Sequence, residues 1–350
     1  VHVEEVRRAL VAAGHDVVLL ARRVDRAPPG SAVVRVRTLP GRLRRPGRRL
    51  DAARLRRAVA AEIARRRPDF LYERYSLGTP EPGDAARAAG VPVVLEVNAP
   101  LVEEAARFRG GAAPPSALAA ERARWRAADL VVVVSEPLAE SVRATGQRNV
   151  LVAPNAVDAD LFRPMDGDRT GLDGRFVVAF AGTVRPWHDM VVVLDALRLL
   201  PNATLLLVGD ATRLPDATGV HVVRTGPVAH AEVPRLLAAA DVCVAPLAGE
   251  HTYFSPLKAM EYLACGRATV VAYADGLAPL ADAGAAAAYR PGSATDLARV
   301  LAGLAADPAA RERLAARGRE HATAFSWHDV AARVVAAVAP GAYQVAAPRL

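Results

Sequence analysis

The stretch Phe176-Val177-Val178-Ala179-Phe180-Ala181-Gly182-Thr183 is a run of six apolar residues that stops at a glycine. Six residues is strand length, and apolar side chains on both faces mark a strand covered above and below. A helical pattern follows from 189 to about 200, so the unit reads strand, small-residue turn, helix. Backbone N–H groups exposed at such a turn can bind phosphate, and Arg185 and His188 add side-chain donors. A glycine after a strand is common, and an ordinary strand–helix turn has the same sequence. Neither G-x-G-x-x-G nor a Walker A sequence occurs, which argues against a dinucleotide dehydrogenase and a P-loop nucleotidase.

The same alternation runs through the chain. Downstream, the spacing predicts strands at Thr204–Val208, Val220–Val223, Asp241–Ala245, Ala268–Ala272 and Ala287–Tyr289. Helices fall at 189–200, 230–239, 256–264, 294–306 and 308–323, and a last amphipathic helix at 327–338. Upstream, strands are expected at Asp16–Leu20, Ala32–Val36, Phe70–Tyr72, Pro92–Val97, Leu130–Ser135 and Leu151–Val152. Helices there are Val3–Ala13, an Arg-rich one at about 51–67, 83–89 and 115–127. Between the halves, 159–174 is dense in Asp, Gly and Pro and reads as a linker. The fold class is therefore α/β, with two doubly wound Rossmann-like domains. Ligands bind at the carboxyl ends of such parallel sheets, which would face a central cleft.

At 350 residues, 52% hydrophobic and 23% charged, the chain is long enough for two cores. No apolar run approaches the roughly 20 residues that span a bilayer. Cys243 and Cys265 lack metal-ligand spacing, so a reduced, cytoplasmic setting is the default. The net charge of +8 is uneven. Residues 1–70 hold 18 Arg against 7 Asp and Glu, densest around Arg42, Arg44, Arg45, Arg48, Arg49, Arg54, Arg56 and Arg57. No aromatic residue interleaves with the arginines between Arg22 and Arg67, which disfavours nucleic acid. Peripheral contact with an anionic inner membrane face, or an anionic acceptor, fits the charge better than nucleic acid does; solvated helix faces are the bland reading.

Of the 45 basic residues only Lys258 is a lysine. It lies in Ser255-Pro256-Leu257-Lys258-Ala259-Met260-Glu261-Tyr262-Leu263-Ala264-Cys265-Gly266. Ser255 at the N-cap and Pro256 at the first helical position would open a helix, and the three-residue spacing puts Lys258 and Glu261 on one face. A surface ion pair is the bland reading. Helix N-terminus, cation and carboxylate together would instead cradle a nucleoside diphosphate, with Glu261 accepting from two vicinal ribose hydroxyls.

These residues resemble a retaining glycosyltransferase of the GT-B fold, family 4. The matching features are Gly182-Thr183-Val184-Arg185-Pro186-Trp187-His188, Val208-Gly209, Gly226-Pro227-Val228, Asp241-Val242-Cys243-Val244-Ala245-Pro246 and the Ser255–Gly266 segment. Pro154-Asn155-Ala156-Val157-Asp158 matches the interdomain marker and Ser326-Trp327 the approach to the closing helix. The resemblance implies an acceptor domain over 1–158, a linker over 159–174, a nucleotide-sugar domain over 175–325, and a crossover helix and tail over 326–350. It implies transfer of a sugar from a nucleoside diphosphate to a glycan or lipid-linked acceptor with retention, without cofactor or metal. Catalytic roles fall on Arg185, Lys258 and Asn98. Donor contacts fall on Gly182, Thr183, His188, Pro227, Val228, Tyr253, Ser255, Pro256, Leu257 and Glu261. His2, Glu96 and Glu103 fall on the acceptor side.

The chain departs from the pattern in three places. Tyr253 stands where a paired-glutamate motif has its first Glu, with Glu250 nearby. His188-Asp189 replaces a frequent Lys-Gly. The first strand and Gly-rich loop that usually precede a helix like His2–Leu10 are missing from the sequence given, so two sheet edges would be exposed. Two other outcomes are a GT-B nucleotide-sugar epimerase, using Glu96 and Glu103 as acid and base, and a non-catalytic nucleotide-binding homologue. Surface or capping roles suffice for His15, His221, His230, His321 and His328. Trp125, Trp187 and Trp327 read as packing residues.

Overall fold

A computed structural model describes residues 2–21, 30–36, 48–77, 82–109, 112–172, 174–248, 256–274 and 276–339. The chain divides into two units, residues 1–154 together with 327–350, and residues 155–326.

In the first unit, α1 (His2–Ala12) leads to β1 (Val17–Ala21), which pairs in parallel with β2 (Ser31–Arg35). After α2 (Arg48–Arg66) comes a second parallel sheet, in the order β3 (Leu71–Arg74), β4 (Val93–Val97), β5 (Leu130–Val133) and β6 (Val150–Val152). The helices α3 (Gly83–Ala88), α4 (Leu101–Arg109), α5 (Pro115–Ala127) and α6 (Glu136–Arg143) provide the crossovers. β4 and β5 are buried at every position, as their unbroken apolar runs require once helices cover both faces. The expected central sheet is thus two sheets: among the described residues β1 pairs only with β2, and β3 only with β4.

The second unit carries one six-stranded parallel sheet. It begins with β7 (Phe176–Ala181), α7 (Met190–Arg198), β8 (Ala203–Val208) and β9 (His221–Arg224). A 3-10 turn at His230–Glu232 enters α8 (Val233–Leu237), followed by β10 (Val242–Ala245), α9 (Leu257–Ala264) and β11 (Ala268–Ala272). α10 (Ala278–Asp282), β12 (Ala287–Tyr289), α11 (Ala294–Ala306) and α12 (Pro308–Thr323) complete it. The strand order is β12-β11-β10-β7-β8-β9. Winding therefore proceeds one way from β7 and the other way from β10. Their junction is a topological switch point, where the loops diverge and leave a crevice at the strand ends. The core of this unit is continuous, and Phe180, Leu205, Leu207 and Tyr262 are among its fully buried side chains.

The closing helix, α13 (Trp327–Val338), belongs to the first unit. It buries Trp327, Val330, Ala331, Val334 and Val335, and Arg333 donates to the Val152 carbonyl at 2.8 Å.

The stretch 159–174, read as a linker, packs into the second unit instead. Phe162 and Leu172 are buried in its core, and Arg169 donates to the Ala239 carbonyl and pairs with Asp241. Its Asp, Gly and Pro content signals turns correctly, but two apolar anchors tie those turns down. The sequence reading also passed over α4, α6 and α10.

Candidate active site

The turn after β7 sits at the switch point. Gly182 holds φ +116°, and a Cβ there would stand 2.8 Å from Lys258 Cε and 2.9 Å from its Nζ. The positive φ favours glycine here, and a Cβ would also push the Lys258 ammonium off the turn. The turn is braced by hydrogen bonds from Gly182 N–H to the Val208 carbonyl (2.7 Å) and from Val184 N–H to the Asp210 carbonyl (2.9 Å). From below, Tyr262 fixes α9 to the same strand end. Its hydroxyl accepts from the Ala181 N–H at 2.8 Å and donates to the Ala181 carbonyl at 3.3 Å. Lys258, one turn earlier on α9, is thereby delivered to the Gly182 turn.

Lys258 Nζ lies 3.1 Å from His188 Nε2 and 4.7 Å from the centre of the Phe180 ring. Burial, together with the nearby Arg185 charge, lowers its pKa to about 8 even though Glu261 pulls the other way. His188 is more strongly affected: burial, then Lys258 and Arg185, push it to about 3, so the imidazole is neutral. A neutral ring has one acceptor nitrogen. Here the Arg185 backbone N–H addresses Nδ1 at 3.1 Å while the lysine addresses Nε2. Both donors cannot be served by the ring, so the Lys258 ammonium keeps its donor capacity for an anion. Arg185 is exposed, beside a cavity of about 400 Å³ that His188, Asp189, Met190 and Arg213 also line.

Among the described residues no ion pair joins Lys258 to Glu261; the lysine faces His188 and the carboxylate faces His230. Glu261 is 7% exposed and its Oε1 meets His230 Nε2 at 2.8 Å. His230 follows the Gly226-Pro227-Val228 loop, and its ring packs on Phe162 at 5.0 Å between centroids. That loop leaves β9 beside the Gly209 turn, to which Gly226 is bridged. Sequence reasoning missed His230, because its partner lies 31 residues away and no local spacing links the two.

α9 begins at Leu257 with Pro256 at its N-cap and no side-chain cap, so Pro256 is not the first helical residue. Ser255 and Tyr253, as well as Arg42, Arg44 and Arg45, lie outside the described residues. The side chains of Arg48 and Arg49 do too.

In the first unit a polar cluster forms where β3 and β4 end. Glu96, 2% exposed, accepts from Tyr72 Oη at 2.7 Å and Asn98 Nδ2 at 2.6 Å. His2 Nδ1 lies 3.1 Å from it and Arg74 Nε 3.6 Å. Burial alone would raise the Glu96 carboxyl; His2, Tyr72 and Asn98 outweigh it and hold the pKa below the usual value. The His2 contact is one of distance only, since neither ring nitrogen makes a hydrogen bond among the described residues, and Asn98 Oδ1 makes none either. The ring of His2 stands edge-on to Trp327 at 4.8 Å. Glu103 does not join this cluster. It lies on α4, 48% exposed and 4.0 Å from Arg122. Among the described residues Glu96 and Glu103, the pair an epimerase reading would use, share no hydrogen-bond or ion-pair partner.

Two family models match the chain, Glycosyltransferase Family 4 over residues 1–161 and Glycosyl transferases group 1 over residues 175–307. A GDP-mannose-dependent alpha-(1-6)-phosphatidylinositol dimannoside mannosyltransferase of Mycobacterium tuberculosis is 30% identical over 349 residues, 93% of this chain and 88% of that protein. A D-inositol 3-phosphate glycosyltransferase of Geodermatophilus obscurus is 33% identical over 228 residues, 57% of this chain and 49% of that one. The chain thus spans about half the length of that second relative. Among solved structures, sucrose-phosphate synthase from Thermosynechococcus elongatus superposes with TM-score 0.77 at 21% identity, covering 95% of this chain and 90% of that chain. Anabaena HepE in complex with UDP-glucose gives 0.66 at 21% identity, covering 87% and 86%. The fold is that of the GT-B glycosyltransferases. The chain belongs to glycosyltransferase family 4.

Proposed function

We propose that the protein transfers a sugar from a nucleoside-diphosphate sugar to a hydroxyl of a glycan or lipid-linked acceptor, with retention of anomeric configuration. The observation that carries this reading is the Lys258 ammonium held against the Gly182 turn at the switch point of the second unit. In this reading the diphosphate lies against that turn and the start of α9, at the backbone of Pro256 and Leu257. Lys258 and Arg185 neutralise the charge that grows on the departing phosphate, an effect strengthened by a water-poor site. Neutral His188 and Thr183 flank the same phosphate. Glu261 accepts from the ribose hydroxyls, and Pro227 and Val228 border the base. The acceptor hydroxyl attacks the anomeric carbon on the face from which the diphosphate leaves. The C–O bond to phosphate breaks, a new C–O bond forms, and the hydroxyl proton passes to the departing phosphate oxygen. No protein nucleophile, metal or cofactor takes part in this scheme. The mannosyltransferase and HepE relatives support a nucleotide-sugar donor by their names alone.

Asn98, His2 and buried Glu96 serve the acceptor side in this scheme. A peripheral contact with anionic lipid belongs to the same reading, carried by α2, whose Arg54, Arg56 and Arg57 are exposed along with Leu50. Among the described residues no helix is long and apolar enough to cross a membrane.

The test is direct. Purified protein is incubated with UDP-, GDP- and ADP-sugars and a bacterial lipid and glycan extract. Release of nucleoside diphosphate coupled to a glycosylated product is expected. Sugar-nucleotide isomerisation without acceptor, or no turnover with any donor, would overturn the assignment.

A further inference from the structure

We propose that His230 is a positioning residue for ribose recognition, holding the Glu261 carboxylate in the orientation that meets both vicinal hydroxyls of a nucleoside diphosphate. The proposal rests on the donor-site reading above. An ionised carboxylate only accepts, so at 2.8 Å the Nε2 of His230 must carry the proton and donate to Oε1. That bond uses one of about four lone-pair positions on the carboxylate, leaving the rest for two hydroxyls.

The restraint reaches Glu261 from outside its own helix. Glu261 stands on α9, whereas His230 stands on the 3-10 turn after β9. Lys258, its neighbour one turn back, faces His188 at 3.1 Å and makes no ion pair with Glu261 among the described residues. The imidazole is itself held, its ring 5.0 Å from that of buried Phe162. Exposure grades in the useful direction: the carboxylate side chain is 10% exposed and the imidazole 37%. The histidine thus sits at the rim and the acid beneath it. His230 also follows directly on the loop that borders the base, so one residue couples the base loop to the ribose acid. A contact with a merely structural role would have no bearing on which sugar hydroxyls are sensed.

Binding of UDP, GDP and ADP, and of their 2′,3′-dideoxy counterparts, is measured by calorimetry on the full chain. The variants are His230→Ala, His230→Phe, His230→Gln and Glu261→Gln. His230→Phe keeps a ring against Phe162 but has no N–H, while His230→Gln restores an N–H near the Nε2 position. Losing a hydrogen bond to a charged group should weaken the preferred ribonucleotide roughly tenfold in the Ala and Phe variants. The dideoxy analogue should be unaffected, and the Gln variant should recover most of the loss. Equal weakening of both nucleotides, no weakening, or failure of Gln to rescue would overturn the role of His230. Should Glu261→Gln bind like wild type, or should no nucleotide bind the wild type, the donor-site reading itself falls, an outcome distinct from a failure confined to His230.

Discussion

Lys258 shows how a single side chain can be tuned by its position. Burial disfavours its charged form and lowers its pKa to about 8 from the ordinary 10.5. Between those values the unfolded chain holds more protons than the folded one, so stability from this group rises as pH climbs from about 8 to 10.5. Below pH 8 the folded protein carries the full cost of the buried charge. In the proposed reading a bound diphosphate would reverse the balance by favouring the ammonium. Nucleotide binding near pH 8.5 should therefore take up a proton, visible as a buffer-dependent binding enthalpy, and should weaken above that pH. Lys258→Met should abolish the proton uptake. Turnover of Lys258→Ala should fall about 10²-fold, the usual loss when one preorganised charge is removed. Unchanged kinetics in that variant would remove Lys258 from the chemistry. His188 provides a separate acid-side signal. With its folded pKa near 3 against 6.5, its share of stability is lost as pH falls from about 6.5 toward 3.

At the scale of elements, continuous apolar strands and long amphipathic helices were legible because their periods are local. β7, β8 and β11 appear at or within one residue of their expected bounds. α4, α6 and α10 went unseen, since five to nine residues give too few turns for a 3.6-residue period to stand out. The site divides along the same line. Lys258 and Glu261 share a helix, so their common face follows from spacing. The His230–Glu261 and Tyr72–Glu96 bonds join separate elements and exist only after the strands are placed side by side. α13 offers a test at this scale, because Trp327 is 6% exposed and meets α1 through His2. Trp327→Ala should destabilise the first unit by about 3–5 kcal/mol, the common cost of emptying such a site. A melting temperature within a degree of wild type would show that α13 contributes little.

For the molecule as a whole, two units with their own sheets imply that heat need not unfold the chain in one step. In the proposed reading the nucleotide binds only the second unit. At about 100 times its Kd it should stabilise that unit by about 2.7 kcal/mol. Scanning calorimetry should then show one transition moving upward with UDP or GDP while the other stays in place. Trp327→Ala should lower the stationary one. Equal displacement of both transitions by nucleotide would mean that the units unfold together.

The Tyr262 hydroxyl hooked onto the Ala181 peptide has an evolutionary corollary. That anchor ties α9, and with it Lys258 and Glu261, to the end of β7 from within the helix itself. In the proposed reading, substitutions ahead of Pro256 would change which sugar is accepted and leave the nucleotide contacts of Lys258 and Glu261 in place.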